Sequence, residues 1–446
     1  MDGRCQVSPQ VSDLTSSCFR LGLACELEEA IPIIGFFDDS NPLTDRPRYA
    51  MPQGDFVSQP EPRPVNVVIL GSTGSVGRSA VDVLEHDGGT RLRAFGLTAQ
   101  SSVDRLLDQA RRLRPRYVVL TDPKAAASLN GDLHGLGIEL LEGPEGIEEL
   151  VRRPEVDRVL TAVVGVAGLR GTWAAIEAGK TIAVANKETL VVAGPLVTAL
   201  AAKSGSVLLP VDSEHSAIFQ AMKGGTAKEV RRVILTSSGG PFRGKSVRDL
   251  ASVTREQALD HPTWKMGPKI SIDSATLMNK ALEVIEARWL FDLRPDQIEV
   301  VVHPESIVHS MVEFVDGSVL AQLSPPDMRL PIQYALNYPD RVAGGCPLLD
   351  LTRTMTLHFE PPDRETFPCL DLGFEVMAAG GTAGAALNAA NEAAVSRFLD
   401  GTIRFLEIPR AIRAVLDNHT HDARPSLDDL WAVDSWARRE VMRWSC

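Results

Sequence analysis

The fold is decided by residues 65–85, VNVVILGSTGSVGRSAVDVLE, where an apolar run meets a glycine-rich turn and then a helical pattern. We predict a buried strand over Val65–Leu70 and a helix over Arg78–Glu85, joined by Gly71–Gly77. Strand, glycine turn and helix together are the context of a dinucleotide site, because glycines let the backbone approach a pyrophosphate and the helix N-terminus favours its charge. The spacing is G-x-x-G-x-x-G rather than the commoner G-x-G-x-x-G, so a purely structural turn is the alternative.

Strands and helices alternate after this turn, which predicts a doubly wound, mostly parallel sheet. The predicted strands are 92–97, 117–120, 158–164 and 181–185, and the predicted helices are 103–113 and 169–178. In such a fold the end of the second strand contacts the adenosine ribose. Here that end reads Gln100-Ser101-Ser102 and has no acid to hold a 2′-hydroxyl. This favours NADP over NAD, with a plain loop as the alternative.

Two acids, Asp212 and Glu214, follow a predicted strand over Val207–Val211. If the backbone stays extended there, both carboxylates point the same way and repel unless a cation or proton lies between them. Mg²⁺ or Mn²⁺ suits such oxygen ligands, and the alternative is Asp212 as a helix N-cap with Glu214 in the first turn. Lys187 also follows a strand, so we expect it at the same sheet edge unless it is solvated surface.

A further strand, Arg232–Leu235, runs into Ser238–Arg243, a stretch of Ser and Gly suited to an anion-binding nest. Residues 244–267 look like a mobile segment, and we place a lid loop at about residues 238–267. The segment ends in His261-Pro-Thr-Trp264-Lys-Met266-Gly267. Apolar groups in a loop usually pack locally, but a lid that excludes water needs them too.

A helix is predicted from about Ala275 to Leu290, with Ser274 at its N-cap, where free N–H groups attract phosphate. Asn279 and Glu283 share one face, and Lys280 lies beside them. The alternative is a surface Lys280–Glu283 pair of little energetic value. Apolar residues spread around the whole helix, which predicts burial on more than one side. Buried Asn, Lys and Glu need partners, so a site is favoured.

The sequence after residue 290 predicts an antiparallel hairpin and a small C-terminal helical domain. Strands over 299–302, 306–314 and 318–322 would form the antiparallel part of a mixed sheet, whose edge is suited to pairing across a dimer. Helices are predicted over 374–379, 385–399, 408–416 and 427–444. The expected domains are an extension (1–64), a dinucleotide-binding domain (65–211), a catalytic domain (212–345), a linker (346–370) and a helical domain (371–446).

Composition bounds the function classes open to this chain. A net charge of −12 argues against a nucleic-acid surface, and we see no run of 18 apolar residues that would span a membrane. Six cysteines form no C-x-x-C pair, which fits a reducing compartment without a disulfide framework or zinc site. Residues 1–64 lack a sustained period, and we expect them to be poorly ordered. A secretory signal is not favoured there, nor is a plastid transit peptide, and we expect a cytoplasmic protein.

The motifs together resemble the 1-deoxy-D-xylulose 5-phosphate reductoisomerase family. The resemblance covers residue 65 to the C-terminus, and its six ordered motifs are 71–77, 185–188, 210–215, 238–243, 261–264 and 273–283. It implies a rearrangement of the ketose phosphate and its reduction by NADPH to 2-C-methyl-D-erythritol 4-phosphate, an isoprenoid precursor. It also implies a homodimer, a small phosphorylated ketose as the substrate, and no nucleic-acid or membrane partner.

Site residues are carried over from the family motifs only as implications of the resemblance. The implied ligands of Mg²⁺, Mn²⁺ or Co²⁺ are Asp212, Glu214 and Glu283. The implied catalytic residues are these three with Lys187 and His261. Substrate-binding residues would be Lys187, Ser213, Glu214, Ser238, His261, Trp264, Ser274, Asn279, Lys280 and Glu283, of which Ser238, Ser274, Asn279 and Lys280 take the phosphate. NADPH-binding residues would be Thr73, Gly74, Ser75, Val76, Gln100, Ser101, Ser102, Asn186, Glu188 and Gly267.

One departure concerns the 2′-phosphate. Family members often carry Gly-Lys-Asn, or a similar basic or amide trio, where this chain has Gln100-Ser101-Ser102. Serine hydroxyls bind a phosphate without supplying a charge, which leaves the strength of NADP preference open. Two rival functions are also open, an NADP-dependent dehydrogenase without rearrangement, such as a homoserine dehydrogenase, and a catalytically silent NADP sensor. Neither accounts for the three-carboxylate set.

Overall fold

The computed structural model describes residues 63–445, apart from the side chains of residues 130–132, and the predicted extension lies outside this range except for its last two residues. The first seven strands are β1 (Val65–Leu70), β2 (Leu92–Ala99), β3 (Tyr117–Leu120), β4 (Glu139–Glu142), β5 (Arg158–Thr161), β6 (Thr181–Val184) and β7 (Leu208–Pro210). They form one parallel sheet in the order β4-β3-β2-β1-β5-β6-β7. The chain changes direction across the sheet between β1 and β5, and open α/β sheets bind ligands at such a switch point. The predicted parallel sheet is confirmed.

Helices cover both faces of this sheet. They are α1 (Ser75–Asp87), α2 (Val103–Leu113), α3 (Pro123–His134), α4 (Gly143–Arg152), α5 (Gly168–Glu177) and α6 (Lys187–Ser204). Val67 and Ile69 of β1 pack with α1, α2 and α3, while Val68 and Leu70 pack with α4, α5 and α6. Because β1 is buried on both sides, it reads as a continuous apolar run rather than an alternating one.

A second, mixed sheet follows in the chain. Its elements and the helices around them are α7 (Ser213–Ala221), β8 (Val230–Ser237), α8 (Val247–Leu250), α9 (Arg255–Leu259), α10 (Pro268–Ala275), α11 (Met278–Phe291), β9 (Ile298–Val302), β10 (Val308–Phe314), β11 (Val319–Leu323) and α12 (Arg329–Asn337). The order is β11-β10-β8-β9, with β8 and β9 parallel and the other pairs antiparallel. The predicted hairpin is β10–β11, and β11 lies at one edge.

The C-terminal region is helical, as predicted. Its helices are α13 (Cys369–Ala379), α14 (Ala383–Leu399), α15 (Glu407–Asp417) and α16 (Leu427–Arg443). They share one core with β8, α10 and α11, so the second sheet is covered by helices from two stretches of the chain. Helix α12 packs instead in the core of α1 and β1 through Ile332 and Leu336. The domain boundaries given above stay predictions.

Three local predictions are wrong. Helix α1 begins at Ser75, not Arg78, so the glycine turn is shorter than expected. The helix predicted from Ala275 is two helices, because Leu277 adopts a left-handed φ of 59° between α10 and α11. Ser274 therefore lies near the C-terminal end of α10 rather than at an N-cap, and the helix-N-terminus argument for phosphate does not apply to it. Helices α8 and α9 occupy part of the segment predicted to be mobile, and its mobility stays a prediction.

Candidate active site

A cavity opens beside the carboxyl ends of the first sheet. Segments that follow β1, β6, β7 and β8 line one part of it, and α10 and α11 line another. The parallel strands place their carboxyl ends at one edge, so short polar segments far apart in sequence meet there. The expected sheet-edge site is therefore present as a cavity in the described part of the chain.

The three acids predicted as metal ligands converge at this cavity. One carboxylate oxygen each from Asp212, Glu214 and Glu283 lies within 4.8 Å of the others. Lys187 pairs with Asp212 and, at 3.2 Å, with Glu283. Lys280 pairs with Glu214 at 2.9 Å and with Glu283. Because the Lys280 and Glu283 side chains are only 3% and 0% exposed, the surface-pair alternative is wrong.

The backbone reason for this convergence differs from the one expected. Helix α7 begins at Ser213, so Asp212 and Glu214 are not both on an extended strand. Asp212 occupies the N-cap position, but its side chain makes no capping hydrogen bond. The carboxylate instead faces Lys187, which is the first residue of α6. The alternative prediction is therefore right about position, since Asp212 is the N-cap of α7 and Glu214 lies in its first turn, and Lys187 and Lys280 pair with the two carboxylates.

Charge and burial oppose each other in this cluster. Burial raises the pKa of Glu283 to about 7, and the charge of Glu214 adds to the rise. For Glu214, burial disfavours ionisation, but Lys280 outweighs it and lowers the pKa to about 2. Burial likewise disfavours the charges of Lys187 and Lys280, yet the surrounding carboxylates raise both pKa values. Three carboxyl groups share two ammonium groups, so the cluster retains room for a further cation or proton.

A second acidic grouping lies behind the first and shares Asp212 with it. Ligand atoms of Asp212, His215 and Glu286 also lie within 4.8 Å of one another. His215 and Glu286 are fully buried, with 3.4 Å between Nδ1 and Oε2. Burial lowers the pKa of His215 to about 4, and it raises the pKa of Glu286 well above its ordinary value. The predicted motifs do not include this grouping as a site, although Asp212 and His215 stand three residues apart.

His261 organises the segment that carries Trp264. Its Nδ1 accepts hydrogen bonds from the backbone N–H groups of Thr263 and Trp264, at 3.1 and 2.9 Å. The neutral ring therefore carries its proton on Nε2, which donates to Ser238 Oγ at 2.9 Å. Burial lowers the pKa of His261, which favours this neutral form. Trp264 lies beside His309, with 6.2 Å between ring centroids.

Most of the predicted substrate residues line the cavity. These are Lys187, Ser213, Glu214, Ser238, His261, Trp264, Ser274, Asn279 and Lys280. Glu283 lies behind them, fully buried, and accepts from Asn279 Nδ2 at 2.6 Å. Asn279 and Lys280 both hydrogen-bond with these carboxylates, and their assignment to the phosphate stays a prediction. Three residues outside the predicted set, Ser306, His309 and Met328, reach the cavity from beyond the motifs.

The glycine turn meets the structural demands of a dinucleotide site. Gly71 has a φ of 81°, and a Cβ there would lie 2.7 Å from Ala162 O. A Cβ on Gly77 would lie 2.2 Å from Gly71 O, so the first turn of α1 packs directly on the loop. Of the predicted cofactor residues, Ser75, Val76 and Gly267 line the cavity. Close packing of turn and helix leaves the backbone N–H groups at the helix start free to face a ligand.

The other predicted cofactor residues surround the cavity without lining it. Thr73 and Gly74 belong to the glycine turn, and the side chains of Gln100, Ser101 and Ser102 are exposed at the end of β2. Asn186 and Glu188 are buried and joined by a 2.9 Å hydrogen bond.

One residue outside the predicted set lies against the glycine turn. Arg105, in the first turn of α2, donates to Thr73 O at 3.1 Å and makes no ion pair with a described carboxylate.

Family models match most of the chain. A model described as 1-deoxy-D-xylulose 5-phosphate reductoisomerase matches residues 67–194, and two models of C-terminal domains of the same enzyme match residues 208–291 and 323–440. The reductoisomerase of Methylobacillus flagellatus is 52% identical over 384 residues, which is 85% of this chain and 97% of that protein. This chain belongs to the 1-deoxy-D-xylulose 5-phosphate reductoisomerase family. The resemblance stated from the motifs is confirmed.

Two further relatives of this reductoisomerase family bear on the fold and on ligands. The reductoisomerase of Heliobacterium modesticaldum is 54% identical over 375 residues, 84% of this chain and 95% of that protein. A crystal structure of a reductoisomerase in complex with NADPH, fosmidomycin and magnesium is 42% identical. It covers 85% of this chain and 98% of its own, with a TM-score of 0.81. The shared fold extends over both sheets and the C-terminal helices.

Proposed function

We propose that this chain catalyses the NADPH-dependent rearrangement and reduction of 1-deoxy-D-xylulose 5-phosphate to 2-C-methyl-D-erythritol 4-phosphate, an early step of isoprenoid precursor synthesis. The observation that carries the proposal is one cavity lined by the first residues of α1, which follow the glycine turn, and by acids of a three-carboxylate cluster. Reduction needs a nicotinamide held by the dinucleotide site. The rearrangement needs an electrophile across two vicinal oxygens, which a metal held by the three acids would provide. Family membership and the solved complex with NADPH, fosmidomycin and magnesium support it.

The carboxylate cluster fits a hard divalent cation. Asp212, Glu214 and Glu283 offer oxygen ligands, and oxygen ligands suit Mg²⁺ and Mn²⁺, with Co²⁺ as a further candidate. A divalent ion bound there would supply a Lewis acid that polarises the carbonyl and hydroxyl oxygens of the substrate. Lys187 and Lys280 already balance part of the negative charge, which keeps the acids together. We assign the three acids as the metal ligands.

The substrate side of the cavity combines anchoring and closure. We assign Ser238, Ser274, Asn279 and Lys280 to the phosphate, and Lys187, Ser213 and His261 to the rest of the substrate. A phosphate held away from the reacting carbons contributes binding energy that orients them. His261 links the backbone of the Trp264 segment to Ser238, so a ligand that engages Ser238 also affects the position of Trp264. An indole above the substrate would exclude water during the reduction.

The cofactor side follows the glycine turn. We assign Thr73, Gly74, Ser75, Val76, Asn186, Glu188 and Gly267 to NADPH, with Gln100, Ser101 and Ser102 near the 2′-phosphate. The missing charge in that trio has a substitute in Arg105, because its guanidinium already lies against the carbonyl of Thr73. An arginine beside this loop is a common way to accommodate a 2′-phosphate. Arg105 therefore favours NADPH over NADH.

A homodimer and a cytoplasmic location complete the proposal. Edge strand β11 exposes Val319 (48%) and Leu320 (41%), and Leu348 in the nearby segment is 94% exposed. Exposed apolar edges are uncommon in monomers, because an unpaired strand edge invites pairing with another chain. We propose a second copy of this chain as the partner that covers this edge.

The proposed location is the cytoplasm, which the bacterial relatives support. No helix among residues 63–445 is long and apolar enough to span a membrane.

The deciding experiment is NADPH consumption with 1-deoxy-D-xylulose 5-phosphate, with and without EDTA. We expect turnover that EDTA abolishes and Mg²⁺ or Mn²⁺ restores, with 2-C-methyl-D-erythritol 4-phosphate as the product by NMR. Oxidation that ignores EDTA would instead favour a dehydrogenase without rearrangement. NADPH binding with no turnover at any metal concentration would favour an NADP sensor.

A further inference from the structure

A buried ion triad of Lys269, Glu188 and Asp273 lies beside the cavity and includes one residue, Glu188, that is assigned to NADPH. Lys269, in the first turn of α10, is 16% exposed, and its Nζ lies 3.0 Å from Glu188 Oε1 and 2.7 Å from Asp273 Oδ2. Glu188 and Asp273 are themselves 6% and 1% exposed. Burial lowers the pKa of Lys269, but the two carboxylates outweigh it and raise the pKa above its ordinary value. The ammonium therefore stays charged where exchange with water is restricted.

The two carboxylates belong to different parts of the molecule. Glu188 Oε2 accepts from Asn186 Nδ2 at 2.9 Å, and the same amide donates to Val163 O and Gly165 O in the loop after β5. This is the cofactor side of the site. Asp273 Oδ1 accepts from Asn391 Nδ2 at 2.8 Å, on α14 of the C-terminal helices. Lys269 and Asp273, one turn apart on α10, thus connect the cofactor side to the helical region.

Helix α10 carries this connection to the substrate side. Gly267 precedes it and lines the cavity, and Ser274 near its far end lines the cavity as well. Eight residues of α-helix span about 12 Å, so a small rotation of α10 displaces both ends together. Gly240 fits tightly against that far end, since a Cβ on it would lie 2.6 Å from Ser274 O. The orientation of α10 therefore sets the Ser238–Gly240 turn relative to the cofactor side.

We propose that Lys269 is a positioning residue that couples NADPH binding to substrate binding by fixing α10 against Glu188. This rests on the proposed function, because it names how the two halves of that same site communicate. A ligand on the cofactor side holds Asn186 and Glu188, and through Lys269 it restrains the helix that carries Ser274. The substrate then encounters an ordered site and pays less ordering entropy, and the effect is reciprocal.

The test measures NADPH affinity by fluorescence titration with and without fosmidomycin plus MgCl₂. In the parent chain we expect fosmidomycin to tighten the binding of NADPH by about 5–150-fold, which is the usual range of coupling between sites. Lys269→Met should bring that factor close to one, while NADPH affinity without fosmidomycin changes far less. Lys269→Arg keeps the charge and should retain most of the coupling. Lys203→Met removes an exposed lysine from the far end of α6 and should change nothing.

Distinct outcomes overturn the inference. Unchanged coupling in a folded Lys269→Met protein, checked by thermal melting, removes Lys269 from this role. Equal weakening of NADPH with and without fosmidomycin would make Lys269 a support of the cofactor site only. If Lys269→Met does not fold, Lys269→Gln removes the charge but keeps a polar side chain at the same position, and retained coupling there is equally decisive. A parent chain that binds both ligands without coupling refutes the inference alone, whereas one that binds neither refutes the proposed function.

Discussion

Replacing Glu283 with Gln tests the metal assignment most directly. The amide keeps the shape of the side chain but removes one charge and weakens one oxygen ligand. Glu283 is fully buried and contacts Lys187 at 3.2 Å, Asn279 at 2.6 Å and also Lys280. The change leaves two carboxylates facing two ammonium groups, so the cluster attracts a divalent cation less strongly.

The expected loss follows from this geometry. Changes in the shell of a bound metal typically cost 10–100-fold in affinity or activity. A ligand that is buried and held by three partners should lie at the upper end, about 100-fold, or about 2.7 kcal/mol at 1.36 kcal/mol per tenfold. Turnover at limiting metal should fall by that factor, and high metal should recover part of it. NADPH affinity should change little, because the Gly71–Gly77 turn is untouched.

The assay is a steady-state titration of Mg²⁺ and Mn²⁺, with NADPH affinity measured separately by fluorescence. Glu286→Gln is the comparison variant, because Glu286 lies one turn further along α11, is equally buried, and belongs to the other acidic grouping, which shares only Asp212 with the first. We expect it to leave the metal dependence unchanged. The reverse result, with metal dependence altered by Glu286→Gln and not by Glu283→Gln, would refute the assignment. Equal loss of NADPH binding in Glu283→Gln would indicate a folding defect instead.

Three further predictions follow from the site. Trp264→Ala should lower kcat/KM with little change in melting temperature, and a loss near the ~3–5 kcal/mol of a core Trp→Ala change, with turnover retained, would favour simple packing. Arg105→Gln should weaken the binding of NADPH by about tenfold and the binding of NADH hardly at all, since a charged hydrogen bond contributes ~1.5–3 kcal/mol. Arg112→Gln on the same helix is the control. Equal weakening of the binding of both cofactors would make Arg105 a support for the turn. The pKa of His261 is lowered in the folded protein, so the unfolded chain binds a proton more readily than the folded one. The free energy of unfolding should therefore be highest at neutral pH and should fall as pH drops below the ordinary pKa of 6.5 toward the lower folded pKa. Urea midpoints between pH 7.5 and 5 should show this decline relative to His261→Asn, and parallel curves would contradict it.

The sequence permitted the sheet and the identity of the acids to be predicted because both depend on local pattern. A strand buried on both faces is a continuous apolar run, as in β1, and a glycine turn before a helix is visible from spacing alone. The C-terminal helices were likewise predicted from their apolar patterns. Boundaries were less accurate, since the break at Leu277 depends on a left-handed residue that nothing in the local pattern requires. That break also moved Ser274 from the start of one helix to the end of another.

Tertiary structure alone decided which charges meet. Asp212 and Glu214 were predicted to converge for a backbone reason that proved wrong, and they converge because Lys187 and Lys280 lie between them and Glu283. The Glu188–Lys269 pair and the contact of Arg105 with Thr73 had no sequence signal, since their partners are distant in the chain and ordinary in type. Periodicity reports which face of an element is buried, so the sequence by itself determined the sheet, its helices and the family. Charge pairing depends on distances of a few ångströms across separate elements, and only the packed chain sets those distances.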